Sequence, residues 1–336
     1  MVKITIEKDD DHQRLDRFLR KYFRNAPLSF IYKLIRKDLK VNGRKTGENY
    51  ILAAGDELVL YISPEEALRY RMKRETVRSR RQFKIAYEDE NILAAEKPLG
   101  LLTHGDRTEK KNHLANQVLG YLTETGEYCP RAQQTFTPAP ANRLDRNTTG
   151  LVLFGKNGSA LRELNRMIRE KGYIQKYYLT VVKGYVKGPI VLRDRMEKNS
   201  ETNTVRIKAS EEEGGKLMET IARPLISASG YTLLEVELVT GRTHQIRAHL
   251  AKAGYPIIGD TKYGNAQTNR IIEKKYGLST QFLHAYRLYF KSGSGNLSYL
   301  AGKEIRSELP EQLKTIRKEL FMRDVKEYEK NNSGGF

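Results

Sequence analysis

The feature that most constrains this chain is the junction Asn142-Arg143-Leu144-Asp145-Arg146-Asn147-Thr148-Thr149-Gly150-Leu151. Ahead of it, Phe136-Thr137-Pro138-Ala139-Pro140 cannot be helix, because each proline lacks an N–H and drives its predecessor out of the α region. Behind it, Leu151-Val152-Leu153-Phe154 is an apolar run of strand length. The polar residues between are therefore confined to a constrained loop leading into a buried strand. Asp145 on such a loop either ties a turn together or is held for chemistry. These residues alone do not decide between the two.

At 336 residues the chain has room for two domains. Lys+Arg of 60 against Asp+Glu of 41 gives a formal charge of +19, which points to a polyanionic partner such as nucleic acid. Cys129 is the only cysteine, so an intramolecular disulfide and a cysteine-rich zinc site are excluded. No run of about 18 apolar residues occurs, and Met1 to Glu7 has no signal-peptide character, so a cytoplasmic protein with no membrane contact is expected.

Leu15, Phe18, Leu19, Tyr22 and Phe23 form an apolar helical stripe among arginines. Pro27 breaks it, and Ser29 is placed to cap a second helix with Ile31, Leu34 and Ile35 inward and Lys33, Arg36 and Lys37 outward. Asn42-Gly43 signals a tight turn beside Arg44 and Lys45, and Glu57 to Ile62 reads as a closing strand. Arg14-Leu15-Asp16, the basic second helix and Val41-Asn42-Gly43 resemble the αL RNA-binding motif shared by a small-subunit ribosomal protein and tyrosyl-tRNA synthetases. That resemblance implies RNA contacts from Arg14, Lys33, Arg36, Lys37, Arg44 and Lys45; a helical domain with a solvated basic face is the plainer alternative. Residues 63–82 read as a basic linker: between positions 69 and 84 eight Lys or Arg stand against Glu75 alone.

A second domain over 83–325 starts with strands at Ile85–Tyr87 and Ile92–Ala95 around an acidic turn, then Lys97-Pro98 and a helix at Leu114–Leu122. After the central run, a helix is expected from Ser159, its cap, to Lys171, with Leu161, Leu164 and Ile168 inward. Lys176 to Gly184 reads as a strand carrying Tyr178, and residues 185–220 as a charged hairpin. Leu233–Val239 is a strand, followed by Thr240-Gly241-Arg242-Thr243-His244-Gln245-Ile246-Arg247, where Thr243 should cap a helix ending at Gly254. Residues 326–336 read as a disordered tail.

Several chemistries are excluded cheaply. There is no Gly-x-x-x-x-Gly-Lys-Ser/Thr loop, no Gly-x-Gly-x-x-Gly after a strand and no Gly-x-Ser-x-Gly elbow. His244 and His249 are five apart, the wrong spacing for zinc on one helical face. Arg143-Leu144-Asp145, Lys97-Pro98, Lys176-x-Tyr178 and the run around Arg247 through Gly259-Asp260 resemble, in order and spacing, the motifs of RluA-type pseudouridine synthases. Glu96, Asn142 and Thr180 depart from the residues usual there.

The resemblance implies an α+β fold: a mixed, mainly antiparallel sheet with a central cleft, plus the small αL domain over residues 1–62. It implies an RNA pseudouridine synthase that needs no cofactor or metal and no obligate protein partner. Asp145 would be the catalytic carboxylate, Arg247 its cation, and Tyr178 the ring stacked on a flipped-out uracil. Arg143 would fill the gap in the RNA; Arg146 is read as a further RNA contact, and Asn142, which departs from the family's residue, as an RNA contact or a support behind the site. The expected substrate is large-subunit ribosomal RNA. A transfer-RNA synthase and a non-catalytic ribosome-assembly protein are the rivals.

Overall fold

A computed structural model describes residues 1–71, 80–130, 133–199, 204–209 and 214–321. The N-terminal module runs β1 (Val2–Thr5), α1 (Leu15–Tyr22), α2 (Leu28–Lys37), β2 (Leu39–Val41), β3 (Glu57–Leu60) and α3 (Pro64–Tyr70). Its antiparallel sheet has the order β1-β3-β2, so β3 pairs both neighbours. The expected stripe of Leu15, Phe18, Leu19, Tyr22 and Phe23 is buried, as are Ile31, Leu34 and Ile35. Asn42 and Gly43 both have positive φ, 50° and 76°, as a tight primed turn requires.

Two boundaries differ from the sequence expectation. Helix α2 starts at Leu28 with Pro27 at its cap position, so Ser29 lies inside the helix and caps nothing. Linker residues 64–70 are helical: Ser63 accepts from Glu66 N at 3.1 Å, Ala67 joins the module's core, and Tyr70 packs on Phe30. The apolar Ala67 and Tyr70 are enough to hold this turn down despite the charge around them. Most of the remaining basic stretch, and the expected tail, lie outside the described residues.

The second body contains β4 (Lys84–Glu88), β5 (Ile92–Lys97), α4 (Leu114–Glu124), β6 (Ala139–Pro140), β7 (Thr149–Gly155) and α5 (Gly158–Arg169). It continues through β8 (Ile174–Lys183), β9 (Ile190–Asn199), β10 (Thr204–Ala209), β11 (Lys216–Ala228), β12 (Tyr231–Leu238) and α6 (Gln245–Lys252). It ends with α7 (Ala266–Tyr276), β13 (Leu283–Phe290), β14 (Glu304–Arg306) and α8 (Glu311–Phe321). The sheet order is β10-β9-β11-β12-β8-β13-β7-β5-β4, with β14 on β13 and β6 on β7. The β13–β7 pair is parallel and the other described pairs are antiparallel, so the sheet is mixed but mainly antiparallel.

Every residue of β7 is buried, with Val152 and Phe154 in one core and Leu151 and Leu153 in the core on the opposite face. Each such side chain contributes about 1.5–3 kcal/mol by leaving water, which anchors the loop that precedes the strand. Helix α5 is capped by Asn157, whose side chain accepts from Ala160 N, rather than by Ser159. Leu164 is buried and Ile168 packs partly buried against the same core, as expected, while Ala160 and Met167, which the sequence reading leaves out, complete the buried face.

The N-terminal module docks on this body. Asp9 Oδ1 accepts from Gly158 N at 2.7 Å, Asp9 O accepts from Arg162 Nη1 at 3.0 Å, and Gln134 Nε2 donates to Thr5 O at 2.9 Å. A Cβ on Gly158 would lie 2.1 Å from Asp9 O, so this contact requires glycine at the start of α5.

Candidate active site

Asp145 occupies the turn into β7. The turn is closed by its main-chain carbonyl, which accepts from Thr148 N at 3.1 Å, and the carboxylate is left for other partners. Gly150, at φ 108°, lets the loop approach β13: a Cβ there would stand 2.1 Å from Ala285 O. Opposite, β13 carries a bulge between Ala285 and Arg287, and Ala285 is registered against Tyr178 of β8. The sheet therefore brings Asp145, on the turn before β7, and Tyr178, on β8, to one place.

Arg247 on the first turn of α6 completes the group. Its Nη1 donates to Asp145 Oδ2 at 3.1 Å, while Nε and Nη2 donate to the two oxygens of Asp260 at 2.7 and 2.9 Å. Asp260, fully buried, also accepts from Lys262 N and Tyr263 N, and its carbonyl holds Asn269 Nδ2 and Gly264 N. Asp260 orients the planar fork, leaving Nη1 free to point at Asp145. Burial works against the guanidinium charge, but the bonds and charges of Asp260 and Asp145 hold Arg247 above its ordinary value.

Tyr178 is buried, and its hydroxyl is pushed well up, first by burial and then by the negative Asp145. Lys97, at the end of β5, is 1% exposed. Its ammonium donates to Pro98 O at 3.1 Å and to Leu101 O and Arg146 O at 2.8 Å each. Burial brings it down to about 7, opposed by the charge of Asp145. Lys97 is thus a three-way tie under the Asp145 loop. Thr103 adds another, donating to Leu144 O at 3.0 Å and accepting from Leu144 N at 3.1 Å.

The other site candidates separate. Arg143 and Arg146 are exposed on the same loop, and Arg146 Nη2 lies 3.4 Å from Asp106 Oδ2. Asn142 is occupied differently from the expected RNA contact: its Nδ2 donates to Leu151 O at 3.3 Å and its Oδ1 accepts from Leu153 N at 2.8 Å. It satisfies strand groups of β7 and anchors the loop. In the N-terminal module, Arg14 forms a two-pronged pair with Asp16 at 2.9 and 3.0 Å. Lys33, Arg36, Lys37, Arg44 and Lys45 are all exposed, and Arg36 and Lys45 meet at a groove of about 520 Å³ that Tyr32 also lines.

Sequence reasoning missed four participants: Asp260, Lys97, His244 and Tyr263. A lysine ending an apolar strand and an Asp in a Gly-Asp turn were visible, but not what they would face. His244 was hidden because Thr243 was expected to cap α6. Instead His244 holds the cap position at φ 53°, and no side chain caps the helix. The loop is closed by Gln245, whose Oε1 accepts from Thr240 Oγ1 and Arg242 N while its Nε2 donates to Glu219 O.

A family model described as RNA pseudouridylate synthase matches residues 91–252. The chain is 32% identical over 322 residues to ribosomal large subunit pseudouridine synthase C of Vibrio vulnificus, covering 93% of this chain and 94% of the relative. To the protein of the same name from Escherichia coli it is 36% identical over 300 residues, 85% and 88% of the two chains. The fold is similar to that of human RNA pseudouridylate synthase domain containing 1, with a TM-score of 0.51 at 19% identity over 73% of this chain and 97% of that one. With relatives of this identity spanning nearly its whole length, the chain belongs to the RNA pseudouridylate synthase family and is an RNA pseudouridine synthase.

Proposed function

We propose that this protein converts uridines of large-subunit ribosomal RNA to pseudouridine, with Asp145 as the carboxylate that acts at the sugar of a flipped-out nucleotide. The observation that carries the assignment is the Asp145–Arg247–Asp260 arrangement, in which a fully buried aspartate fixes the guanidinium fork and leaves Asp145 27% exposed. Isomerisation breaks N1–C1′ and forms C5–C1′, and neither base atom can be reached in a stacked helix, so the nucleotide must leave the stack. A carboxylate serves here as nucleophile or base, Tyr178 offers a ring for the uracil, and exposed Arg143 and Arg146 offer cations for the RNA around it. The relatives' names, the charge of +19 and the basic face of the N-terminal module support ribosomal RNA as substrate.

Mapping pseudouridine across all RNAs in cells lacking this protein tests the reading. Sites should vanish from large-subunit ribosomal RNA and return when the parent gene is restored. Loss confined to transfer RNA would reject the substrate, and an unchanged map would reject the reading altogether.

Replacing Lys33, Arg36, Lys37, Arg44 and Lys45 by Gln should flatten the dependence of log K on log salt. Each lost phosphate contact lowers the slope by about 0.7–0.9, while turnover at saturating RNA stays near that of the parent. An unaltered slope would remove these residues from the RNA interface.

A further inference from the structure

With Asp145 engaged at the sugar, the product requires one further step, at C5 of the base. Once C5 is joined to C1′, it carries both the sugar and its original hydrogen, and N1=C6 is an imine. The C5–H bond must then break, its electron pair forming C5=C6, while the N1=C6 π pair moves to N1, which takes a proton from water. A base must receive the C5 proton. Four described ionisable groups that lie beside Asp145 or hold its partner are unsuited to this. Arg247 is a donor only. Asp260 has both oxygens committed to Arg247 and to backbone N–H groups. Lys97 is buried beneath the loop with its ammonium on three carbonyls. Tyr178 has its phenol pushed up by burial and by Asp145, so phenolate is scarce at neutral pH.

His244 is differently placed. Its Nε2 lies 3.9 Å from Asp145 Oδ2, beyond hydrogen-bond distance, so the two groups stand side by side without bonding each other. Its Nδ1 is 3.2 Å from the hydroxyl of Tyr263, and the two rings meet edge to face at 5.7 Å. A histidine at φ 53° is held in a conformation that L-residues rarely adopt, a backbone strain of the kind that clusters at functional sites. Burial, and then the nearby cations Arg247 and Lys262, outweigh Asp145 and Asp260 and keep the imidazole below its ordinary value, hence neutral at pH 7.

We propose that His244 is the general base that takes the C5 proton on Nε2, with Tyr263 accepting from Nδ1–H and so fixing the tautomer that leaves the lone pair on Nε2, the nitrogen on the Asp145 side. The imidazolium then returns its proton to water. The proposal rests on the reading that Asp145 works at the sugar, which places the base of the same nucleotide beside His244.

The test uses His244→Gly, because glycine adopts the left-handed backbone freely and the variant keeps the fold. Ribosomal RNA that the parent is seen to modify is prepared with ordinary or C5-deuterated uridine. His244→Gly should lose about 10²-fold in turnover at saturating RNA, become slower still on deuterated RNA, and recover in part with added imidazole. Tyr263→Phe should show a smaller loss with the same sensitivity to deuterium. Turnover within about threefold of the parent, below the range of general-base catalysis, would overturn the assignment. So would a large loss that deuterium does not deepen. Parent turnover reports on the reaction itself, so failure of that reading is seen separately.

Discussion

Asp145→Asn protein should fold, bind RNA at least as tightly as the parent, and form less than about 10⁻⁴ of the parent's pseudouridine, the scale of loss when a catalytic group is removed. Asparagine keeps the shape and can still accept from Arg247 Nη1, but it neither attacks the sugar nor takes up a proton as a carboxylate does. Stability should change little, because Arg247 keeps its two-pronged pair with Asp260 and no uncompensated cation is left buried. Affinity should hold or improve, since a negative charge facing a polyanion is removed. An aspartate that only tied the turn would behave differently. The turn bond uses the main-chain carbonyl of Asp145, which Asn retains, so activity would survive. Thermal midpoint, RNA affinity and pseudouridine yield from one preparation separate the two outcomes, with reversion by deamidation checked by mass.

Arg247→Met should abolish activity and also destabilise the protein, a combination that Asp145→Asn does not share. It strands Asp260, which is fully buried, without a cation, at a cost of about 3–5 kcal/mol. The pH dependence has a definite sign. In the parent, burial raises and the bonds and charge of Arg247 lower the Asp260 carboxyl, the latter prevailing, so it sits below its usual 3.8. Its contribution to stability is present above that value and is lost as pH falls through the folded one. Without Arg247, burial is opposed only by the Lys262 and Tyr263 N–H groups, so the folded carboxyl rises and the variant's deficit should grow as pH rises from about 4 to 7. A melting-temperature difference between variant and parent that does not change across that range would disprove the pairing. Arg247→Lys should recover only part of the activity, because an ammonium cannot hold both Asp260 oxygens while reaching Asp145.

Much of the architecture was legible because it follows from local rules. Periodicity marked the apolar face of α1, Asn42-Gly43 marked the primed turn, and the proline-flanked junction marked a loop entering a wholly buried strand. Helix starts were read less well. Ser29, Ser159 and Thr243 are sound capping residues, yet the caps fall at Pro27, Asn157 and His244. In the first case a proline pre-set for a helix start came earlier; in the second a stronger Asx cap did. In the third, Gln245 bonded across to β11 and set where the chain could turn.

The sequence by itself determined that Asp145 would lie on a tight loop, that the chain would attract polyanion, and that the residues around Arg247 would start a helix. Those properties depend on neighbours in the chain, on charge and on backbone propensity. What Asp145 faces was decided by the tertiary structure alone. Arg247 reaches it across 102 positions, Tyr178 reaches it only through the β8–β13–β7 order, and Gly150 must pass within a Cβ's width of Ala285. Asp260, Lys97 and His244 acquire their partners in the same way. A side chain's hydrogen-bond partners and burial depend on which strands lie side by side, and no window along the chain contains that information.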